Sequence, residues 1–446
     1  MENMLYLLNI RVSGIKNIKN EVRLDFYKKT VDKDFDPDKY RIKAVYGENG
    51  CGKSALVTAI KIFQDLLISD NYLSESKTQL FLDEIINRST GTFRFDCEFL
   101  AHADTFNIVY AYSVCIAKSD NGVYEILSET LKRKNGNYVN NKYKKIFESK
   151  DGDLSYISCS ADKRAILEKM TMNLLSTHSF LSIFLTNLKK DAASFNETLG
   201  RQDLFLDMLM FFTLAIMIRV YLAEEDQHEL YLLRRKSIEG RADGRILQEQ
   251  MFGYRDLANI FSSVNEKSVA KDDFEGYRDK IHQLTRFIQI FKPDLVSIDI
   301  DAKENGDRYE CSLDLNYGDY RINREFESTG IKKLIRLFDC FALASTMGIV
   351  FVDEMDSNLN DVYLCKLIEY FMYYGKGQLC FTTHNLDPMS ILKENKNSID
   401  FLSSDGHLVP WTSRGNASPE NQYKNGMIED LPFNIDATDF VGIFGE

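Results

Sequence analysis

Apolar and polar residues alternate over residues 5–12, break at Gly14, and alternate again at Val22, Leu24 and Phe26, which predicts a pair of strands. Residues 41–46 predict a third, short strand. The period then changes. Leu56, Ala59, Ile60, Phe63, Leu66 and Leu67 recur at helical spacing, so 54–67 is expected to be an amphipathic helix. Phe93, Phe95, Cys97 and Phe99 return to strict alternation, and the pairs Asn121-Gly122 and Asn135-Gly136 stand between strand-like runs. Asn-Gly tolerates the positive φ of a tight hairpin turn, so 91–148 reads as an antiparallel lobe.

From 163 to 291 the texture becomes helical, with few glycines and no proline before Pro293. Within it, the apolar residues 208–218 are bounded by Asp207 and Arg219. A membrane span needs about 20 residues, so this run predicts a buried helix. The polar stretch 224–255 carries Arg234, Arg235, Lys236, Arg241 and Arg245. Strands are expected again at 295–300, 309–315 and 320–326, the first two joined by a turn at Asn305-Gly306. A helix at 330–344, a strand at 349–353, a helix at 362–373 and a strand at 379–383 follow, and this alternation implies a parallel sheet. The expected organisation is a first half over 1–160, a helical insertion over 161–292, and a second half over 293–446 that returns to complete the sheet.

Composition narrows the class. The 446 residues are 44% hydrophobic and 27% charged, a globular balance that argues against disorder. A net charge of -12 argues against a generally basic nucleic-acid binder, though not against a local basic groove. The 8 cysteines form no CxxC pair, which favours thiols of a reduced compartment over a zinc site or a disulfide framework. The N-terminus lacks the pattern of a signal peptide. A soluble, cytoplasmic protein without a membrane partner is expected.

Four short stretches carry chemistry. Gly47-Glu48-Asn49-Gly50-Cys51-Gly52-Lys53-Ser54 fits G-x-x-x-x-G-K-[ST] in full, with a strand entering and a helix leaving. Its glycines let backbone N–H groups wrap a phosphate, and the helix N-terminus favours anionic oxygens. Lys53 is expected to reach the β- and γ-phosphates and Ser54 to ligand Mg²⁺. The apolar strand 349–352 ends in Asp353 and Glu354, placed to hold the metal and to act as general base on a water. Ser328-Thr329-Gly330 opens a helix, where Ser328 is both an N-cap and an anion contact. Thr382-Thr383-His384-Asn385 ends the next strand at the same sheet edge, within reach of the γ-phosphate.

Together these motifs resemble the ABC-type ATPases of the SMC, RecF and OLD kind: a P-loop near the N-terminus, a Ser-x-Gly signature, a strand ending Asp-Glu and a following strand ending in His. Asp356-Ser357-Asn358-Leu359 resembles that family's D-loop. The long gap between Lys53 and Asp353 also suits it, because these proteins insert helical arms between their halves. The implied fold is α/β, an ABC-type P-loop ATPase head of mixed sheet and helices with an antiparallel β-lobe, interrupted by a helical insertion. The resemblance puts nucleotide contacts at Gly47, Asn49, Gly50, Cys51, Gly52, Lys53, Ser54 and Ala55, and at Ser328 and Gly330 of a second chain. The metal falls to Ser54 and Asp353, and catalysis to Glu354 and His384. There are departures. Glu327 stands where the signature has Leu, Gln79 is the candidate for the Q-loop glutamine, and Lys16 and Asn17 fall where relatives contact phosphates.

Within the group the chain looks most like the stand-alone ATPases of bacterial abortive-infection and anti-phage loci, of the PARIS and RloA-like kind. The implied cofactors are ATP and Mg²⁺, and the implied assembly is a homo-oligomer built on head-to-tail ATP-sandwich dimers. The stretch after His384 is too short for an OLD-type TOPRIM nuclease, so a separate effector, a TOPRIM-type nuclease or another toxin, is the expected partner. Two other readings stay open: a RecF-like DNA-repair ATPase acting directly on DNA, and a nucleotide-dependent structural module with negligible turnover.

Overall fold

The computed structural model describes residues 4–32, 35–103, 106–190, 203–223, 263–395, 397–412 and 417–428. The basic run 234–245 lies outside the described residues. Three sheets organise the rest, and strands and helices are numbered here in chain order.

The first sheet is antiparallel throughout. It contains β1 (Met4–Ser13), β2 (Val22–Asp25), β4 (Thr92–Ala103), β5 (Phe106–Lys118), β6 (Tyr124–Asn135), β7 (Lys144–Lys150) and β8 (Asp153–Ile157) in the order β2-β1-β4-β5-β6-β7-β8. The opening strand pair and the expected lobe are therefore one sheet, and it runs past residue 148 to Ile157. Strict alternation puts Phe93, Phe95, Cys97 and Phe99 on the buried face.

The second sheet holds β3 (Ile42–Tyr46), β9 (Ile218–Tyr221), β14 (Ile349–Val352), β15 (Gln378–Thr382), β16 (Ile399–Leu402) and β17 (Leu408–Pro410), in the order β17-β16-β3-β15-β14-β9. All but β17 run parallel. β3, β14, β15 and β16 are buried at every position, as parallel strands covered on both faces must be. One member was not expected. β9 lies inside the range read as a helical insertion, yet it forms the edge of this sheet against β14.

Helix α1 (Lys53–Ile68) joins the two sheets. It is buried on nearly every side: Phe63 stacks on Phe95 at 4.4 Å, and Gln64 donates to the backbone oxygens of Ala215 and Ile218. The helix α2 (Ser76–Ile85) follows; α3 (Ala161–Thr171), α4 (Phe180–Lys190) and α5 (Asp203–Met217) come before β9. The apolar run at 208–217 is indeed a buried helix, and Ile218 already belongs to the strand. No helix of the described residues is long and apolar enough to cross a membrane.

A third, smaller sheet has β12 (Arg308–Asn316) paired with β10 (Ser268–Ala270), β11 (Ser297–Asn305) and β13 (Arg321–Asn323). With α6 (Phe274–Phe291) it encloses its own core, which includes Tyr277, Ile281, Leu284, Ile288, Leu313 and Leu315. Helix α7 (Thr329–Thr346) serves both cores. Ile331, Leu334, Ile335 and Phe338 face the small one; Leu337, Phe341, Leu343 and Ala344 face the large one. The helix α8 (Asp361–Tyr374) then connects β14 to β15.

Candidate active site

The P-loop spans the turn from β3 into α1. Gly52 caps the helix at φ +114, and a β-carbon there would stand 3.0 Å from Ile18 Cγ1 and 3.1 Å from Asn17 Oδ1, so the position admits only glycine. Asn17 also donates to the Gly50 oxygen at 2.7 Å. The residue read as a phosphate contact thus braces the tip of the loop. Lys53 is buried, and its ammonium donates to the carbonyl oxygens of Gly47 at 2.8 Å and Glu48 at 2.9 Å. Burial holds its pKa below the ordinary lysine value; Cys51, Asp353, Glu354 and Asp356 oppose that shift. Ser54 and Ala55 begin the first turn, with Ser54 only partly buried.

Opposite lies the loop after β14. Asp353 is buried, and its backbone N–H donates to the Tyr221 oxygen, so the unexpected strand β9 fixes where β14 ends. Thr382 ties the acidic pair together. Its hydroxyl donates to Asp353 Oδ1 at 2.6 Å and accepts from the Glu354 N–H at 2.8 Å. Glu354 itself sits at φ +47, a left-handed conformation that a non-glycine residue adopts only where its surroundings enforce it. Asp356 accepts from the His384 N–H at 3.3 Å, while its Oδ1 is buried with no hydrogen-bond partner. The His384 ring is lowered in pKa by burial and by Lys53, against the pull of Asp356, Glu354 and Asp353. Lys53, Asp353, Glu354, Asp356 and His384 therefore share one electrostatic field at the carboxyl edge of the parallel sheet.

This donor set fits a magnesium–nucleotide complex. One oxygen of Asp353 is oriented by Thr382. With the Ser54 hydroxyl it offers hard oxygen ligands, and phosphate and water complete the shell of such an ion. The P-loop ammonium already rests on carbonyl oxygens that phosphate oxygens can replace.

No family model matches the chain, and no curated protein matches it. Among solved structures it is similar to the recombination mediator protein RecF with ATP, from the RecFOR pathway. The identity is 15%, the match covers 92% of this chain and 100% of that one, and the TM-score is 0.38.

Ser328 and Gly330 open α7. Ser328 caps α7, its Oγ accepting from the Ile331 N–H at 3.4 Å, and Gly330 packs on the D-loop, where a β-carbon would meet the Asn358 oxygen at 3.0 Å. The Glu327 that departs from the signature is anchored on both oxygens, by the Tyr317 hydroxyl at 2.6 Å and the Ser328 N–H at 2.8 Å. The Gln79 amide donates to the oxygens of Leu73 and Tyr124 and accepts from the Tyr124 N–H, so it pins α2 to the start of β6. Lys16, at φ +47, turns the chain beside α2, its N–H donating to the Ile85 oxygen. The eight cysteines are free thiols, and Cys51 is buried in the P-loop with its pKa raised by burial.

Two contributors were missed by sequence reading. Thr382 stands beside His384 with no role of its own assigned, and nothing in the local sequence singles out Lys333. Only the fold brings either to Glu354.

Proposed function

We propose that the chain is an ABC-type ATPase that binds ATP with Mg²⁺ and hydrolyses the γ-phosphate bond. The observation that carries this reading is the strand order. The strand ending in Asp353-Glu354 is separated from the P-loop strand by the strand leading to His384, so all three ends meet over one sheet edge. When bound, Mg²⁺ neutralises charge on the β- and γ-phosphates. Lys53 exchanges its loop carbonyls for phosphate oxygens. Ser54 and Asp353 would hold the metal, and Glu354 takes a proton from the attacking water. His384 steadies the γ-phosphate from the neighbouring strand.

Ser328 and Gly330, at the N-terminus of α7, suit an anion brought by a second copy. In this reading two chains sandwich two nucleotides head to tail, and hydrolysis releases them. The finer role is a nucleotide-switched scaffold in anti-phage defence that holds a separate toxin or nuclease. It is supported by the phrases Ala44-Val45-Tyr46-Gly47-Glu48-Asn49-Gly50 and Glu327-Ser328-Thr329-Gly330, which resemble the abortive-infection ATPases.

The test is Glu354→Gln. ATP binding is expected to persist while phosphate release falls at least about a hundredfold, with nucleotide-bound dimer accumulating in light scattering. Unchanged phosphate release would remove Glu354 from the role of base. Affinity purification from the native host tests the finer role: a co-purifying nuclease or toxin supports it, whereas DNA binding that weakens steeply with salt moves the protein to the RecF-like reading.

A further inference from the structure

Lys332 and Lys333 are adjacent in sequence and opposite in fate. The first is only half-buried and donates weakly to the Glu325 oxygen at 3.4 Å. The second is 2% exposed, although a cation near the N-terminal end of a helix gains nothing from the helix dipole. A buried ammonium is retained only where it is fully hydrogen-bonded. Lys333 meets that condition at a single place. Its Nζ donates to the Glu354 oxygen at 2.6 Å, to the Ser357 oxygen at 2.8 Å, and to the Ser357 hydroxyl. It also lies 5.8 Å from the centre of the Tyr221 ring on β9.

The receiving loop needs such a clamp. Glu354 and Asn358 both stand at positive φ, +47 and +59, and the segment between them closes through Ser357 N–H to Glu354 O at 3.1 Å. Thr382 fixes the N–H side of Glu354 and Lys333 fixes its carbonyl side. The two ends of Lys333 also join different parts of the site. Its backbone lies one turn from Gly330 and the Ser328 cap, and its ammonium lies on the residue proposed as general base.

We propose that Lys333 is the positioning residue of the hydrolytic centre, which makes the placement of Glu354 depend on where the N-terminus of α7 sits. The proposal rests on the ATPase reading and adds a direction to it. An anion engaging Ser328 and Gly330 pulls on α7, the ammonium moves with it, and the Glu354 backbone follows. In a head-to-tail dimer, nucleotide held by one chain's signature would then orient the base serving the other nucleotide. Burial also pushes the ammonium's pKa down to about 8, with Asp356, Glu354 and Asp353 opposing, as expected for a cation held among carboxylates away from water.

The experiment compares wild type, Lys333→Met, Ser357→Ala, Glu354→Gln and the Glu354→Gln/Lys333→Met double variant as full-length proteins. Lys333→Met is expected to retain ATP binding and to turn over about a hundredfold more slowly, the scale of loss that a displacement near 1 Å produces. Ser357→Ala removes one of the three acceptors and is expected to lose less. The double variant should be no slower than Glu354→Gln alone, because Lys333 acts through Glu354. Amide exchange across 354–359 should speed up about tenfold or more in Lys333→Met. Multiplicative losses in the double variant, or unchanged exchange over 354–359, would overturn the proposal. Absence of phosphate release from wild type would instead overturn the ATPase reading, and the exchange measurement would still decide whether Lys333 holds the loop.

Discussion

Thr382 passes one hydroxyl between two acidic residues with different proposed tasks, donating to the side chain of Asp353 and accepting from the backbone of Glu354. Removing it frees both at once. Thr382→Val preserves the buried β-branched shape and deletes only the bridge. Turnover is expected to fall about tenfold to a hundredfold with nucleotide affinity little changed, and Thr382→Ser should restore most of it. Equal phosphate-release rates for the valine and wild-type proteins would show that the bridge is dispensable. At this scale the sequence is readable where a residue type has few uses: a GKS turn, or two carboxylates at the end of an apolar strand. Thr382 and Lys333 have many uses, and partners far away in sequence decide which applies. Gln79 shows the converse, since a lone glutamine near an expected loop proves to be a backbone clamp.

Among the elements, α4 is held by a buried acid. Glu129 on β6 is fully buried. Its carboxylate accepts from the Phe180 N–H at 2.8 Å, at the start of α4, and from the Tyr112 hydroxyl at 2.9 Å. Burial raises its pKa to about 7, with those two hydrogen bonds resisting. The sign follows from linkage. The folded pKa lies above the unfolded one, so the folded state binds the extra proton, and stability is greatest at low pH and lost as pH rises towards 7. Wild type is expected to lose about 2 kcal/mol between about pH 5 and pH 8 from this group. Glu129→Gln should flatten that slope in urea titrations; an identical pH profile in the variant would rule Glu129 out as its source. Elements of this kind were only partly legible. The long alternating and helical runs announced β4, α1 and α7. The strand β9 did not announce itself, because Ile218 reads as the last residue of the apolar run of α5 and no glycine or proline marks the change.

Over the whole molecule, a buried amide helps to tie the two large sheets together. Gln378, the first residue of β15, accepts from the Leu7 N–H at 2.6 Å and donates to the Leu7 oxygen at 2.9 Å, where β1 shifts register between Leu7 and Asn9. Gln378→Leu leaves both Leu7 groups buried without partners. Each such loss costs about 1–3 kcal/mol, so the urea midpoint is expected to drop markedly. A variant as stable as wild type would show that water or a backbone shift replaces the amide. A division into halves was predicted from the spacing of the motifs. The smaller core under α7 was not, because α7 reads as one amphipathic helix whereas it is buried on two faces by two different cores.

The strand order has one further consequence, for the growing chain on the ribosome. The antiparallel sheet can assemble from residues near the start, since each of its strands pairs with one made before Ile157. The P-loop strand β3 has no such neighbour. Both of its hydrogen-bonded partners, β15 and β16, lie beyond residue 377. The P-loop is among the first segments translated, and its strand is among the last to be paired. Through most of synthesis the apolar faces of β3 and α1 have only one sheet to cover them, a long-range closure of the kind that folds slowly and depends on protection from premature association.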